Sequence, residues 1–155
     1  MAPTPSLQKP SGLGDFLCFA VYSANLAFGR AYRPILDRLG LTYTQYVTLV
    51  ALSEGDEQTV GDLGDKLFLE SNTLTPILKK LEVLGYVDRR RDPADERQVR
   101  VKLTPAGRKL REQVECDAAG LIGATGLGAD FGKVQKTISR LRDNLLKSVE
   151  AETAG

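Results

Sequence analysis

The stretch from Thr59 to Thr104 constrains this chain more than any other part of it. TVGDLGDKLFLE and SNTLTPILKKLEVLG read as two short helices. YVDRRRDPADERQVRVKLT then gives two alternating runs, Tyr86–Arg91 and Gln98–Leu103, around a polar turn. Alternation with period two makes a half-buried strand, and two such runs joined by a polar turn make a hairpin. Helix, helix, hairpin is the order in which a helix-turn-helix places its second helix in the DNA major groove, with a cationic hairpin beside it to reach phosphates or the minor groove. Double-stranded DNA is therefore the leading expectation for a partner.

Charge distribution supports that expectation better than the charge total. The whole chain has 21 Lys/Arg against 20 Asp/Glu, whereas Tyr86–Arg111 alone has nine against four. A basic edge on a near-neutral chain is the electrostatic footprint of a localised DNA contact, not of a uniformly basic coat. At 155 residues, the chain is long enough for one domain with a substantial core. No apolar run reaches the roughly 20 residues needed to cross a bilayer, so a cytoplasmic protein without membrane contact is expected. The opening MAPTPSLQKPSGLG has the composition of a flexible tail over residues 1–14. Histidine is absent, which removes Ser-His and Cys-His nucleophile pairs and histidine metal sites. Cys18 and Cys116 make neither a disulfide framework nor a zinc site, and there is no glycine-rich phosphate loop. No catalytic residue, metal or cofactor is expected, and the protein reads as a non-enzyme.

Outside the hairpin the pattern is helical. Asp15 to about Leu39 reads as one long helix, closed by Gly40. Thr42 and Gln45 match a capping box that opens a helix through about Ser53; Thr59 and Asp62 make a weaker box, and Ser71 is a candidate N-cap. Pro76 is expected near the start of its helix, because a proline deeper inside cannot donate its backbone hydrogen bond. Thr104-Pro105 predicts another helix start, with the helix running to about Ala119 before a glycine-rich interruption at Gly120, Gly123, Gly126, Gly128 and Gly132. A last amphipathic helix carries Val134, Ile138, Leu141, Leu145, Leu146 and Val149 on its apolar side. The expected fold is mainly α with a small β-hairpin wing: a single domain over 15–150, with a winged helix-turn-helix over about 42–104. The helices over about 15–39 and 105–150 either pack on their own core or dimerise the chain. A homodimer suits two half-sites of a pseudo-palindromic operator.

Within the second helix of the motif, Ser71, Asn72, Thr73 and Thr75 present hydroxyls and an amide at the end that approaches base edges, while Lys79 and Lys80 suit phosphates. Leu74, Ile77, Leu78 and Leu81 form the buried side. For Ser71, capping and DNA contact remain equal alternatives. In the wing, Arg97 is assigned to the minor groove, with Asp95 orienting its guanidinium through a bidentate pair. Arg89, Arg90 and Arg91 are phosphate candidates, though alternation cannot send all three to one face, and a solvated arginine edge is the competing reading.

These motifs together resemble the multiple antibiotic resistance regulator (MarR) family of dimeric winged-helix repressors, and within it the organic hydroperoxide resistance regulators. The resemblance runs from Leu17 to about Leu146. It rests on Leu17-Cys18-Phe19-Ala20-Val21-Tyr22, Leu41-Thr42-Tyr43-Thr44-Gln45-Tyr46, Leu69-Glu70-Ser71-Asn72-Thr73-Leu74-Thr75-Pro76 and Asp95-Glu96-Arg97. It implies that the reduced protein represses and that oxidation of Cys18 by an organic hydroperoxide releases DNA. It also implies a sensor pocket in which Tyr32 and Tyr43 come from the partner subunit, with Phe16 and Phe19 as an apolar wall. The resolving cysteine of two-cysteine members falls on Gly123 here. The expected oxidation product is therefore a mixed disulfide between Cys18 and a small cellular thiol, with Cys116 a helix-packing cysteine.

The residues argue the same point independently, up to a limit. A sensor thiol must be partly thiolate, and the first turn of a helix favours an anion. Tyr22, four residues on, shares the Cys18 face, whereas Tyr32 lies roughly 21 Å along the helix axis. Taken alone, a free cysteine more often fills a core. The competing functions are a winged-helix repressor released by a small ligand with Cys18 passive, a thiol peroxidase using Cys18, and a winged-helix module that binds no DNA.

Overall fold

The computed structural model describes residues 12–153. The chain divides into two compact units, residues 1–116 and 117–155. The first unit contains α1 (Leu17–Arg38), α2 (Tyr43–Leu52), β1 (Gln58–Thr59), α3 (Val60–Leu67), α4 (Ser71–Val83), β2 (Val87–Arg91) and β3 (Val99–Leu103); α5 spans Pro105–Ala124. The second contains α6 (Phe131–Thr153), preceded by a 3-10 turn at Gly128–Asp130. Mainly helical with a small antiparallel sheet, the architecture is the one expected.

Local chemistry explains most of the boundaries. Thr42 Oγ1 accepts from the Gln45 amide at 3.2 Å while the Thr42 amide donates to Gln45 Oε1 at 2.9 Å, a complete capping box at the start of α2. The shorter acid at Asp62 closes an equally complete box with Thr59, at 3.1 and 3.3 Å. Those Thr59 bonds hold the Asp62 carboxyl below its ordinary range. Gly40 adopts a φ of +67°, and the Leu41 amide reaches back to the Leu36 carbonyl at 3.0 Å, closing α1 in the left-handed manner that glycine permits. Thr104 Oγ1 caps α5 by accepting from the Gly107 amide at 3.1 Å.

Four boundaries differ from expectation. α1 begins at Leu17, not Asp15: a 3-10 turn at Leu13–Asp15 precedes it, and Phe16 is an extended N-cap with ψ of 116°. The expected tail over residues 1–14 lies outside the described residues except at its last three, two of which belong to this turn. Ser71 is the first helical residue of α4 and Glu70 the N-cap, because the Glu70 carbonyl accepts from the Thr73 and Leu74 amides. Pro76 sits at the sixth position of α4, where it has no N–H to give the Asn72 carbonyl. α5 continues to Ala124 through Gly120 and Gly123, since a glycine costs a helix only about 1 kcal/mol when its φ stays negative. Gly126 and Gly128, at φ of +68° and +50°, mark where the helical pattern is interrupted.

The sheet has a third strand that two residues could not announce. β1 pairs antiparallel with β3 (Gln58 opposite Val101), and β3 pairs with β2 (Val87 opposite Leu103, Arg91 opposite Val99), giving the order β1-β3-β2. Leu49, Leu52, Leu63, Leu74, Leu78, Leu81, Val101 and Val114 are fully buried and form the core of the first unit. This core fixes α4 against α2, α3 and β2, so the opposite face of α4 is held outward on a rigid base.

The turn between α3 and α4 is tight. The Leu69 amide donates to the Gly64 carbonyl at 2.9 Å, and the Leu69 carbonyl lies 2.7 Å from where a Gly64 Cβ would stand. Phe68, between them, has a φ of +56°, the sole non-glycine residue with positive φ among those described. That conformation costs an L-residue roughly 1–2 kcal/mol.

Candidate nucleic-acid interface and thiol site

α4 buries Leu74, Leu78 and Leu81 and leaves Ser71, Asn72 and Thr73 exposed at its N-terminal end, with Thr75 partly exposed and Lys79 and Lys80 exposed further along. Thr75 Oγ1 donates to the Ser71 carbonyl at 2.7 Å and Thr73 Oγ1 to Asn72 Oδ1 at 3.4 Å. Each hydroxyl therefore keeps lone pairs that can accept from a DNA donor while its own hydrogen is committed. Of the four residues expected on its buried side, Leu74, Leu78 and Leu81 are buried and Ile77 is only partly so, because it stands toward the edge of the buried stripe.

The wing departs from expectation in its ion pairs. Arg89 Nε is 2.9 Å from Glu82 Oε2, and the Arg89 amide donates to Glu82 Oε1 at 3.3 Å; its side chain is only 21% exposed. Arg89 thus ties β2 to α4. Arg90 pairs with Asp88 at 2.9 Å, and Arg91 is exposed. The expected bidentate Asp95–Arg97 pair is not formed. Asp95 Oδ1 accepts from the Arg97 backbone amide at 3.1 Å, which engages that oxygen with the turn backbone, and it meets Arg97 Nε singly at 3.5 Å. The Arg97 side chain is 94% exposed and projects from the tip of the wing.

Asp92 and Arg100 were missed by the sequence reading. Asp92 is buried, donates nothing, and accepts from the Ala94 amide at 2.9 Å and from Arg100 Nε at 2.7 Å. The Ala94 amide, and then the Arg100 guanidinium, hold its carboxyl below the ordinary range. The available signal was Asp92-Pro93-Ala94, a turn opening in which an aspartate accepts the amide two residues on.

Cys18 is the second residue of α1 and is exposed. It lies in a shallow apolar hollow with Leu13, Phe16, Phe19 and Tyr22, where the Phe19 and Tyr22 rings are 6.3 Å apart. Tyr32 and Tyr43 are brought together elsewhere, edge to face at 5.3 Å, with the Tyr46 ring 5.8 Å from Tyr32. Burial, then Tyr32, pushes the Tyr43 and Tyr46 hydroxyls upward, so both remain hydrogen-bond donors at neutral pH. Tyr46 was not anticipated as a member of this cluster, although its spacing of three from Tyr43 on α2 puts both on one side. Cys116, expected to pack between helices, is exposed on α5. Among the described residues no group of His, Cys, Asp and Glu could hold a metal ion, and no helix is long and apolar enough to cross a membrane.

The arrangement has known counterparts. Residues 30–114 match the family described as "Transcriptional regulator SarA/Rot". The chain is 45% identical to the HTH-type transcriptional regulator TtmR of Methylorubrum extorquens over 89% of its length and 71% of that protein. It is 38% identical to the organic hydroperoxide resistance transcriptional regulator of Bacillus subtilis, over 88% of this chain and 91% of that one. This chain belongs to the MarR-type winged-helix transcriptional regulators. Among solved members of that type, AbfR of Staphylococcus epidermidis superposes with a TM-score of 0.76 at 33% identity, covering 89% of this chain and 94% of that one. As a MarR-type regulator the chain is a DNA-binding transcription regulator. The relatives named here are transcriptional regulators, not enzymes.

Proposed function

We propose that this MarR-type regulator is a homodimeric repressor that holds a pseudo-palindromic operator while Cys18 is reduced and releases it when an organic hydroperoxide oxidises that thiol. The observation that carries the reading is the position of Cys18: exposed, in the first turn of α1, inside a hollow walled by Phe16, Phe19, Leu13 and Tyr22. An exposed thiol is open to attack by an oxidant, and an apolar wall favours an organic over an inorganic peroxide. Support also comes from relatives: the Bacillus subtilis regulator is named for organic hydroperoxide resistance, and AbfR has been solved reduced on DNA, overoxidised on DNA and as a disulfide.

In the reaction the Cys18 thiolate attacks one peroxide oxygen. The S–O bond forms as the O–O bond breaks, and the alkoxide leaves as the alcohol after taking a proton. Sulfur loses two electrons and the peroxide gains them. The sulfenic acid then condenses with a small cellular thiol, releasing water and leaving a mixed disulfide. Tyr32 and Tyr43 of the partner subunit supply hydroxyl donors to the sulfur, since Tyr32 lies fourteen residues along the same rigid helix, roughly 21 Å away. Cys116 is a poor resolving partner: Gly123, where that role falls, lies seven residues further along the continuous α5, roughly 10 Å away.

The second copy is supported by apolar surface. α6 has no buried residue in the chain by itself, yet exposes Ile138, Leu145, Leu146 and Val149, and α1 exposes Leu17, Leu26 and Phe28. A dimer covers such faces. On DNA, Ser71, Asn72, Thr73 and Thr75 read base edges, Lys79 and Lys80 meet phosphates, and Arg97 enters the minor groove with Asp95 limiting its swing; Arg89 acts by fixing the wing to α4. The deciding test is release of DNA by organic hydroperoxide in wild type and in Cys18→Ser. Release that survives the substitution places control in a bound ligand instead of the thiol.

A further inference from the structure

We infer that the outer face of the wing sheet holds a binding site for a phosphate-class oxyanion, with Lys102, Arg90 and Arg100 as its donors. In the β2–β3 register Asp88 stands opposite Lys102, and Arg90 opposite Arg100. Along the strands these four alternate with buried Val87, Val101 and Leu103, so they share the face turned away from the core. A hollow of about 190 Å³ is lined by all four, with Arg91 and Glu57 among its other walls.

The arrangement leaves positive charge without a partner. Like charges directly opposite on a sheet repel, and Arg90 with Arg100 is such a pair. One aspartate meets each guanidinium. Arg90 gives Nε and a terminal nitrogen to Asp88 at 3.0 and 2.9 Å, and Arg100 gives Nε to Asp92 at 2.7 Å. A guanidinium has five N–H donors, so both keep donors for a second acceptor. Asp88, engaged by Arg90, does not pair with Lys102 across the strands, and among the described residues neither Lys102 nor Arg91 forms an ion pair. Glu57 is exposed and acts on Arg100 without an ion pair. Four cations thus face three acids, buried Asp92 included, and two of those acids are already engaged.

Forked guanidinium donors beside a compact ammonium suit a small group of several charged oxygens, and phosphate is the commonest of these. It has two sources. One is the backbone of bound DNA, since Arg97 stands at the tip of the same hairpin; the other is a free phosphate compound.

The test uses the full chain with thiols kept reduced, so that Cys18 has no part in it, and inorganic pyrophosphate as the free probe at constant ionic strength. If the occupant is free, the wild-type Tm rises by about 3 °C at ten times the dissociation constant. Lys102→Gln, which keeps most of the stem and loses the charge, shows no rise. Arg90→Gln shows none either, because it releases Asp88 to Lys102, whereas Asp88→Asn lowers the pyrophosphate concentration needed. If the occupant is a backbone phosphate, the slope of log K against log salt is smaller by about 0.9 in Lys102→Gln than in wild type, on a duplex selected by wild type from a random library. Each readout compares a protein with itself across probe or salt, so a change in basal stability does not alter it. The inference is overturned if the salt slope is unchanged and pyrophosphate moves wild type and Lys102→Gln alike, or moves neither.

Discussion

Arg100 Nε donates to Asp92 Oδ2 at 2.7 Å, tying the start of the wing's turn to its returning strand. The same carboxylate accepts the Ala94 amide, so one buried side chain fixes both the backbone of the turn and a guanidinium beside it. Its pKa lies below the ordinary 3.8, so its ionised form stabilises the folded wing above that pH, and the contribution is lost as pH falls through the depressed folded value. Asp92→Asn is therefore less stable than wild type at neutral pH, and the gap in Tm narrows below pH about 4 as wild-type Asp92 is itself protonated. Thermal unfolding of both proteins from neutral to acid pH checks this; a gap that does not narrow would remove the charge from the explanation.

Arg97 carries the wing tip nearly unsupported, with its side chain 94% exposed and Asp95 touching it once at 3.5 Å. Arg97→Ala is expected to weaken operator binding about tenfold with little change in Tm, as for loss of one base-directed arginine. Asp95→Ala removes a loose tether and a turn hydrogen bond, so its effect on binding is smaller. Fluorescence anisotropy at two salt concentrations measures both; equal losses for the two variants mean that Asp95 orients Arg97 more firmly on DNA than in the free protein.

Much of this was legible in the chain, because the signals were local. Thr42/Gln45, Thr59/Asp62 and Thr104-Pro105 announce helix starts through side chains that bond the backbone three residues on, and the buried leucines of α4 follow its period. What escaped depended on distant partners. Glu82 could not be matched to Arg89, nor Asp92 to Arg100, without the register of β2 on β3 and the seat of α4. β1 is two residues long and exists only because β3 lies beside it. The Cys18 hollow was partly legible, since Phe16, Phe19 and Tyr22 are near it in sequence, whereas Tyr46 joins the Tyr32–Tyr43 pair through the packing of α1 on α2.

Cys18→Ser should bind the operator as tightly as reduced wild type, because the hydroxyl fits where the thiol does, and should keep the duplex when organic hydroperoxide is added. Tyr43→Phe keeps the ring against Tyr32 but loses the donor, so its Cys18 is oxidised more slowly at the same stability. Intact mass after peroxide in the presence of a small thiol separates a mixed disulfide from a covalent dimer and from overoxidation. A Cys18–Cys116 dimer as the main product would contradict the single-cysteine route.

Gly64→Ala sets two effects against each other within α3. Helix propensity alone favours alanine over glycine in a helix by about 1 kcal/mol. The new methyl, however, would stand 2.7 Å from the Leu69 carbonyl oxygen, a backbone atom held by the turn that carries Phe68. Neither partner can yield as a flexible side chain would: Gly64 is buried between Leu63 and the turn, and its carbonyl accepts the Leu69 amide. Relief must come from moving the start of α4 away from α3, which loosens the contacts of Leu74 with the core. The clash therefore outweighs propensity, and a net loss of roughly 1–3 kcal/mol is expected. Because the displaced element is α4, operator affinity should fall together with stability. Denaturant unfolding and DNA titration on the same preparation check this, and a Gly64→Ala protein more stable than wild type would show that the turn has room the 2.7 Å approach denies.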